Sequence, residues 1–169
     1  MKYAAKFSPD HMYRWWLTRV WDVGKPQICW IMLNPSTADE RYDDPTLRRI
    51  IEFSQAWDYG RLVVVNLYPY CSSTPEEVRG WVIAGVFRAW ERNKHEILET
   101  AMVSQRVVCA WGAAPWAQVR GFFTVKLLEE KGIELACLGL TQSGAPKHPL
   151  ARGRHRIPND RQLIRYEAL

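Results

Sequence analysis

An unbroken apolar run from Ile28 to Leu33 constrains the fold of this chain more than any other part of its sequence. A strand of this composition has no polar face to show to water, so it must be buried on both sides, which is typical of parallel sheets. The run stops at Asn34-Pro35-Ser36. Because ligands of open parallel sheets collect just beyond the carboxyl ends of the strands, this stretch is either a turn or a binding site.

Further strand-like segments follow, separated by segments with helical periodicity. The predicted strands after the first are 61–66 (RLVVVN), 106–112 (RVVCAWG) and 133–140 (IELACLGL). Residues 3–7 are a candidate edge strand, and the aromatic-rich segment 13–21 is compatible with a strand or a helix, with a strand favoured. Apolar spacing predicts helices from Asp44-Pro45 towards Gly60, at 87–103 and at 116–131. Asp44 is the predicted N-cap of the first helix, and Pro45 suits its first position. This alternation predicts an α/β fold, a three-layer sandwich with a mainly parallel central sheet and helices on both faces.

The length and composition suit one domain. With 169 residues, 47% of them hydrophobic, we expect residues 1–169 to form a single α/β domain, with a basic loop and tail from about residue 141. No segment approaches the roughly 20 apolar residues of a membrane-spanning helix, and the chain does not start with a cleavable apolar stretch. The sequence therefore predicts a cytoplasmic protein without a membrane partner.

The four cysteines do not predict a metal site. Cys29, Cys71, Cys109 and Cys137 stand far apart, without the close pairs of structural zinc sites, and three of them lie in apolar strand-like runs. We interpret them as buried free thiols, which usually pack as small hydrophobic side chains. No metal and no other cofactor are therefore expected.

Positive charge is concentrated in one segment near the end of the chain. The formal net charge is +5, and the run KHPLARGRHR contains Lys147, Arg152, Arg154 and Arg156 with two histidines and no acidic residue. That composition suits a phosphate-rich partner such as DNA. The alternative is a solvated basic segment without a ligand, because basic runs are also common in proteins that bind no nucleic acid.

Each predicted strand is followed by polar or small residues where it ends. These are Asn34-Pro35-Ser36, Asn66, Trp111-Gly112 and, in the loop after the last strand, His148-Pro149. Taken singly, Asn34-Pro35 reads as a turn, Asn66 as a backbone-capping amide and His148 as a surface residue. Taken together they predict one site, because the carboxyl ends of parallel strands meet at the same edge of a sheet.

The same four segments resemble, in the same order, motifs of the uracil-DNA glycosylase superfamily. They read IMLNPS at 31–36, VVVN at 63–66, CAWG at 109–112 and KHPL at 147–150, and the Asn-Pro pair is closer to the mismatch-specific type. The chain departs from that pattern at Met32, where the superfamily has glycine, and in lacking a serine after His148-Pro149. Residues 28–43 and 135–150 are also similar to the family known as domain of unknown function 1643, to which we expect the chain to belong directly.

The superfamily resemblance implies a glycosylase-like fold and assigns two catalytic roles. Asn34 would orient the attacking water, and His148 would donate a hydrogen bond to a carbonyl oxygen of the departing base. An amide cannot act as a general base at neutral pH, so Asn34 positions water without deprotonating it. Asp39, in the same loop, is the candidate general base that would deprotonate the water.

The resemblance also implies how the base is held. Asn66 would read the edge of the flipped pyrimidine with its adjacent donor and acceptor. An aromatic side chain should stack on the base, and Tyr42, Tyr68 or Tyr70 are the candidates. Ser36 stands where uracil-specific members have a tyrosine that blocks the space beside C5, so the pocket should admit C5-substituted pyrimidines.

The function predicted from these residues is that of a monofunctional DNA glycosylase. It would hydrolyse the N-glycosidic bond of a flipped pyrimidine, including modified or C5-substituted bases, with Lys147, Arg152, Arg154 and Arg156 binding DNA phosphates. No obligate protein partner is evident. One alternative is a hydrolase or transferase of free nucleosides or nucleotides. A second is a non-catalytic module that binds nucleic acid through the basic run.

Overall fold

A computed structural model describes residues 1–36, 42–83 and 87–167 of the chain. The seven strands in these ranges are β1 (Lys2–Phe7), β2 (Arg14–Val20), β3 (Gln27–Met32), β4 (Arg61–Asn66), β5 (Arg106–Cys109), β6 (Leu135–Cys137) and β7 (Ile164–Arg165). The four α-helices are α1 (Pro45–Ala56), α2 (Pro75–Ile83), α3 (Phe87–Met102) and α4 (Pro115–Glu129), and a 3-10 helix spans Gly153–His155. The predicted strands and helices are therefore present, whereas β7 and α2 were not among them.

All seven strands form one mixed sheet in the order β1-β2-β4-β3-β5-β6-β7. The four central strands, β4-β3-β5-β6, are parallel, whereas the pairs β1-β2, β2-β4 and β6-β7 are antiparallel. The prediction of a mainly parallel sheet is thus wrong for the sheet as a whole. A parallel pair needs a long crossover connection, and the short segment between β1 and β2 permits only an antiparallel hairpin.

The sheet separates two hydrophobic layers. Cys29 and Ile31 of β3 pack in a cluster with Ile97 of α3 and Leu128 of α4. The alternate residues Ile28, Trp30 and Met32 pack in a second cluster, which contains Leu47, Ile50, Ile51 and Phe53 of α1. Successive side chains of a strand point to opposite faces of a sheet, so helices cover both faces and β3 is buried between them. The α/β class with helices on both faces is therefore observed.

Helix α1 begins at the edge of the sheet where β3 ends. The Oδ1 atom of Asp44 accepts a hydrogen bond from the Leu47 backbone N–H at 2.7 Å, and Pro45 opens the helix. The predicted N-cap is confirmed. The cap satisfies one of the backbone N–H donors that have no partner within the helix, and it links the loop after β3 to the start of the helix.

Two other sequence expectations bear on the surface and the core. Cys29, Cys109 and Cys137 are buried free thiols, and Cys71 is partly buried. Burial raises the pKa of the Cys29 thiol above its ordinary range. None of the helices in the described ranges is both long and apolar enough to cross a membrane.

Candidate active site at the carboxyl edge of the sheet

A cavity of about 320 Å³ lies at the carboxyl ends of the central strands. Four of the residues proposed from sequence line it: Asn34, Ser36, Asn66 and His148. They come from segments that are far apart along the chain, after β3, at the end of β4 and in the loop after β6. The cavity has the size of a small-molecule site, whose usual range begins near 300 Å³.

The parallel register explains why these residues meet. Met32 of β3 lies opposite Asn66 of β4, so Asn34 follows two residues beyond the level of Asn66 at the same edge of the sheet. Apolar side chains of β2, β3, β4 and α1 form one wall of the cavity, namely Leu17, Met32, Val64, Leu47 and Ile50. A few polar groups beside an apolar wall can fix the orientation of a ligand.

The side-chain amide of Asn66 is buried and unsatisfied. Asn66 is 1% exposed, and neither its Nδ2 nor its Oδ1 has a hydrogen-bond partner in the part of the chain that the structure describes. The Nδ2 of Asn93, on α3, donates to the backbone carbonyl of Asn66 at 2.8 Å and to that of Leu67 at 3.2 Å. The backbone of Asn66 is thus held while its amide is left open. A buried amide without a partner costs free energy, so it indicates a ligand that supplies an acceptor and a donor.

The imidazole of His148 is held in one tautomer. Its Nδ1 accepts a hydrogen bond from the Leu150 backbone N–H at 3.1 Å, so the proton of the neutral ring lies on Nε2. Burial lowers the pKa of His148, although the nearby Asp44 opposes that shift. A neutral ring with an Nε2–H group is a hydrogen-bond donor to a ligand in the cavity.

The backbone of Gly112 contacts the loop that carries His148 in a conformation that favours glycine. Its φ of +83° lies in the left-handed region that favours glycine. Its N–H donates to the Pro146 carbonyl at 3.0 Å, and a Cβ placed there would be 3.5 Å from the Cβ of His148. A backbone hydrogen bond from Gly112 therefore joins the end of β5 to the His148 loop, at a position where glycine is favoured.

The amide of Asn34 is oriented by two backbone carbonyls. Its Nδ2 donates to the carbonyl of Pro35 at 2.9 Å and to that of Ser72 at 2.8 Å. Because both partners are acceptors, the nitrogen must face them and Oδ1 is the remaining polar atom. The Oδ1 of Asn34 can therefore accept a hydrogen bond from a water molecule, but it cannot remove a proton from that water.

Replacing Asn34 by aspartate is expected to destabilise the fold by about 1–3 kcal/mol. An ionised carboxylate would set an oxygen against two carbonyl oxygens where a donor now lies. Urea unfolding at neutral pH measures the effect. Gln142→Glu is the control, because Gln142 is exposed and the same exchange of an amide for a carboxylate is made there. An Asn34→Asp protein as stable as the parent would show that the two donated bonds contribute little.

Ser36 and Asp44 form a fixed pair at the cavity wall. The Ser36 hydroxyl donates to Oδ2 of Asp44, whose Oδ1 caps α1. Both carboxylate oxygens are therefore engaged, which agrees with a structural role for Asp44. Ser36 is a small residue at the cavity and also a link between the loop after β3 and the helix start.

The predicted stacking tyrosines do not line this cavity. Tyr68 is 2% exposed, and its ring packs against that of Trp116 with centroids 5.3 Å apart. Tyr42 is 73% exposed, and Tyr70 stacks on Trp81. β4 ends at Asn66, so the alternation of the strand does not carry on to Tyr68, and the structure does not bring Tyr68 to the cavity with Asn66. The predicted catalytic Asp39 lies outside the described residues.

The basic segment lies on the surface beside the cavity. Arg152, Arg154 and Arg156 are exposed, whereas Lys147 is partly buried. His148 is next to Lys147 in the chain and lines the cavity. The structure therefore keeps His148 and the three arginines in one continuous loop, with the histidine inward and the arginines outward.

Arg14 is a cavity residue that sequence reasoning missed. It lines the cavity at 4% exposure, and burial lowers the pKa of its guanidinium to about 10. The antiparallel pairing of Leu17 with Val64 brings the start of β2 to the edge where β4 ends. A charged residue inside the aromatic run YRWWL was the available signal. Ser72 and Ser73 also line the cavity, and no role was predicted for them from the sequence.

Comparisons with known proteins give one result. No curated protein and no solved structure matches the sequence. A family model described as "Protein of unknown function (DUF1643)" matches residues 14–150, which include every described residue of the cavity. The family expected from residues 28–43 and 135–150 is thereby confirmed, whereas the likeness to the glycosylase superfamily stays a prediction. The chain belongs to the DUF1643 family.

Proposed function

We propose that this protein is a monofunctional DNA glycosylase that hydrolyses the N-glycosidic bond of a flipped pyrimidine. The observation that carries the proposal is the unsatisfied, buried amide of Asn66 at the wall of the cavity. The pairing edge of a pyrimidine offers a ring nitrogen beside a carbonyl, and a side-chain amide can hydrogen-bond both. Base-processing enzymes that act on duplex DNA read the flipped base in this way.

The other cavity residues fit the steps of base release. Water adds through its oxygen to the anomeric carbon while the C–N bond breaks, and the bonding electron pair leaves with the base. The Oδ1 of Asn34 orients that water. The Nε2–H of His148 donates to the base carbonyl oxygen on which negative charge develops. The proton lost by the water passes to solvent or, in the sequence-based hypothesis, to Asp39.

DNA is the proposed substrate in preference to free nucleosides because of the basic loop. Arg152 and Arg156 are exposed in the loop that begins beside His148. Phosphate contacts supply most of the sequence-independent affinity for nucleic acid, and a free nucleoside would not use them. Ser36, a small residue at the cavity wall, supports a pocket that admits a pyrimidine with a C5 substituent.

A panel of oligonucleotides tests the proposal. Single- and double-stranded DNA carrying uracil, mispaired thymine or 5-hydroxymethyluracil is incubated with the protein and then treated with alkali, which cleaves abasic sites. Strand cleavage with at least one base is the expected result. Cleavage confined to nucleosides run in parallel would favour the hydrolase or transferase alternative. Binding without release of any base would favour a non-catalytic module.

A further inference from the structure

A second concave surface adjoins the cavity on the outer side of the His148 loop. This arginine groove encloses about 400 Å³ and is lined by Arg49, Pro149, Leu150, Ala151, Arg152, Gly153, Arg156, Ile157 and Asn159. Three of these residues are arginines, and none of the described residues that line the groove is acidic. The basic run alone does not predict the groove, because Arg49 comes from α1.

The guanidinium of Arg49 is held in place before any ligand binds. Its Nη2 donates to the Ile157 carbonyl at 3.0 Å, and its Cζ lies 4.4 Å from the centre of the Phe53 ring. The Arg49 side chain is only 17% exposed. Its single described acidic neighbour is Glu52, at 3.5 Å and 66% exposed, and such an exposed pair neutralises little charge. A fixed guanidinium loses less entropy on binding an anion than a mobile one does.

The arginine groove and the cavity share the same two structural elements. Helix α1 contributes Leu47 and Ile50 to the cavity and Arg49 to the groove. The loop after β6 contributes His148 to the cavity and, starting at Pro149, most of the groove. A polymer whose one unit occupies the cavity would therefore have its neighbouring unit next to the groove.

We propose that the arginine groove binds a backbone phosphate of the nucleic-acid strand whose neighbouring nucleotide occupies the cavity. Arg49, Arg152 and Arg156 supply the donors, since guanidinium groups match the oxygens of a phosphate. Arg154 and Lys147 do not line the groove and lie outside this site. The identity of the strand as DNA rests on the proposed function, whereas the phosphate site itself does not require that a base be cleaved.

The test measures binding of a labelled single-stranded oligonucleotide at several salt concentrations, without any cleavage readout. Arg152→Ala and Arg156→Ala should each lower the slope of log affinity against log salt by about 0.7 units, and Arg49→Ala should do the same. Arg154→Ala is the matched control, because it removes the same charge from the same loop outside the groove. The slope of this control should stay close to that of the parent.

The outcomes separate this site from general charge and from the catalytic proposal. Equal slopes for Arg154→Ala and Arg152→Ala would overturn the proposed phosphate site, since the slope would then depend only on the net charge of the loop. Arg49→Ala also removes the hydrogen bond to the Ile157 carbonyl and could unfold the protein. In that case Arg156→Ala provides the test, because it removes only an exposed side chain. Displacement of the oligonucleotide by inorganic phosphate at the same concentration as the oligonucleotide would also overturn the proposal, because it would indicate a site for free phosphate. Intact groove binding without base release would contradict the glycosylase function alone.

Discussion

Replacing His148 by alanine is expected to slow base release by about 10²- to 10³-fold while the fold is retained. The Nε2–H of the ring would donate to the carbonyl oxygen that becomes negative as the base departs, and that bond is strongest in the transition state. The Nδ1 bond to the Leu150 N–H already fixes the tautomer, so the donor costs no reorganisation during the reaction. Single-turnover release from the best oligonucleotide of the panel measures the loss.

His155→Ala is the matched control for this experiment. His155 is the other histidine of the same loop, and it does not line the cavity. Its replacement should leave the rate within a small factor of that of the parent, and circular dichroism should show both variants folded. Asn34→Ala is expected to lose release to a similar extent, since its Oδ1 would no longer orient the water. Full activity of His148→Ala on a substrate that the parent cleaves would remove His148 from the mechanism.

Replacing Ser36 by tyrosine is expected to suppress the cleavage of C5-substituted pyrimidines about 10- to 200-fold more than that of uracil. Ser36 lines the cavity with a side chain of two heavy atoms, and a tyrosine ring there would fill the space beside the base. The amide of Asn66 would still read the pairing edge, so uracil should remain a substrate. The rates with uracil, thymine and 5-hydroxymethyluracil are compared in one DNA sequence context.

Ser36→Ala separates the loss of space from the loss of a hydrogen bond. Both substitutions remove the hydroxyl that donates to Asp44, and only tyrosine adds volume. Ser36→Ala should therefore keep the substrate range of the parent, with any change in stability measured by thermal unfolding. If the parent releases uracil and no C5-substituted base, the open-pocket hypothesis is wrong and another residue closes that space.

The parts of the site that could be read from sequence lie at the ends of parallel strands. The apolar run to Leu33 predicted a strand buried on both faces, and the structure buries β3 between two helical layers. The carboxyl ends of parallel strands share one edge of the sheet, so Asn34, Asn66 and the His148 loop could be grouped without coordinates. The Asp44 cap was equally local, because it depends on residues three positions apart.

Local patterns were sufficient to predict α1, α3 and α4, the central strands and the polar residues that follow those strands, because each of these features depends on neighbouring residues. The antiparallel pairing of β2 with β4, and with it the place of Arg14 in the cavity, depended on tertiary packing. Tertiary packing also decided that Tyr68 packs against Trp116 and that Arg49 joins Arg152 and Arg156. These outcomes depend on contacts between residues far apart in the chain, for which local periodicity carries no information.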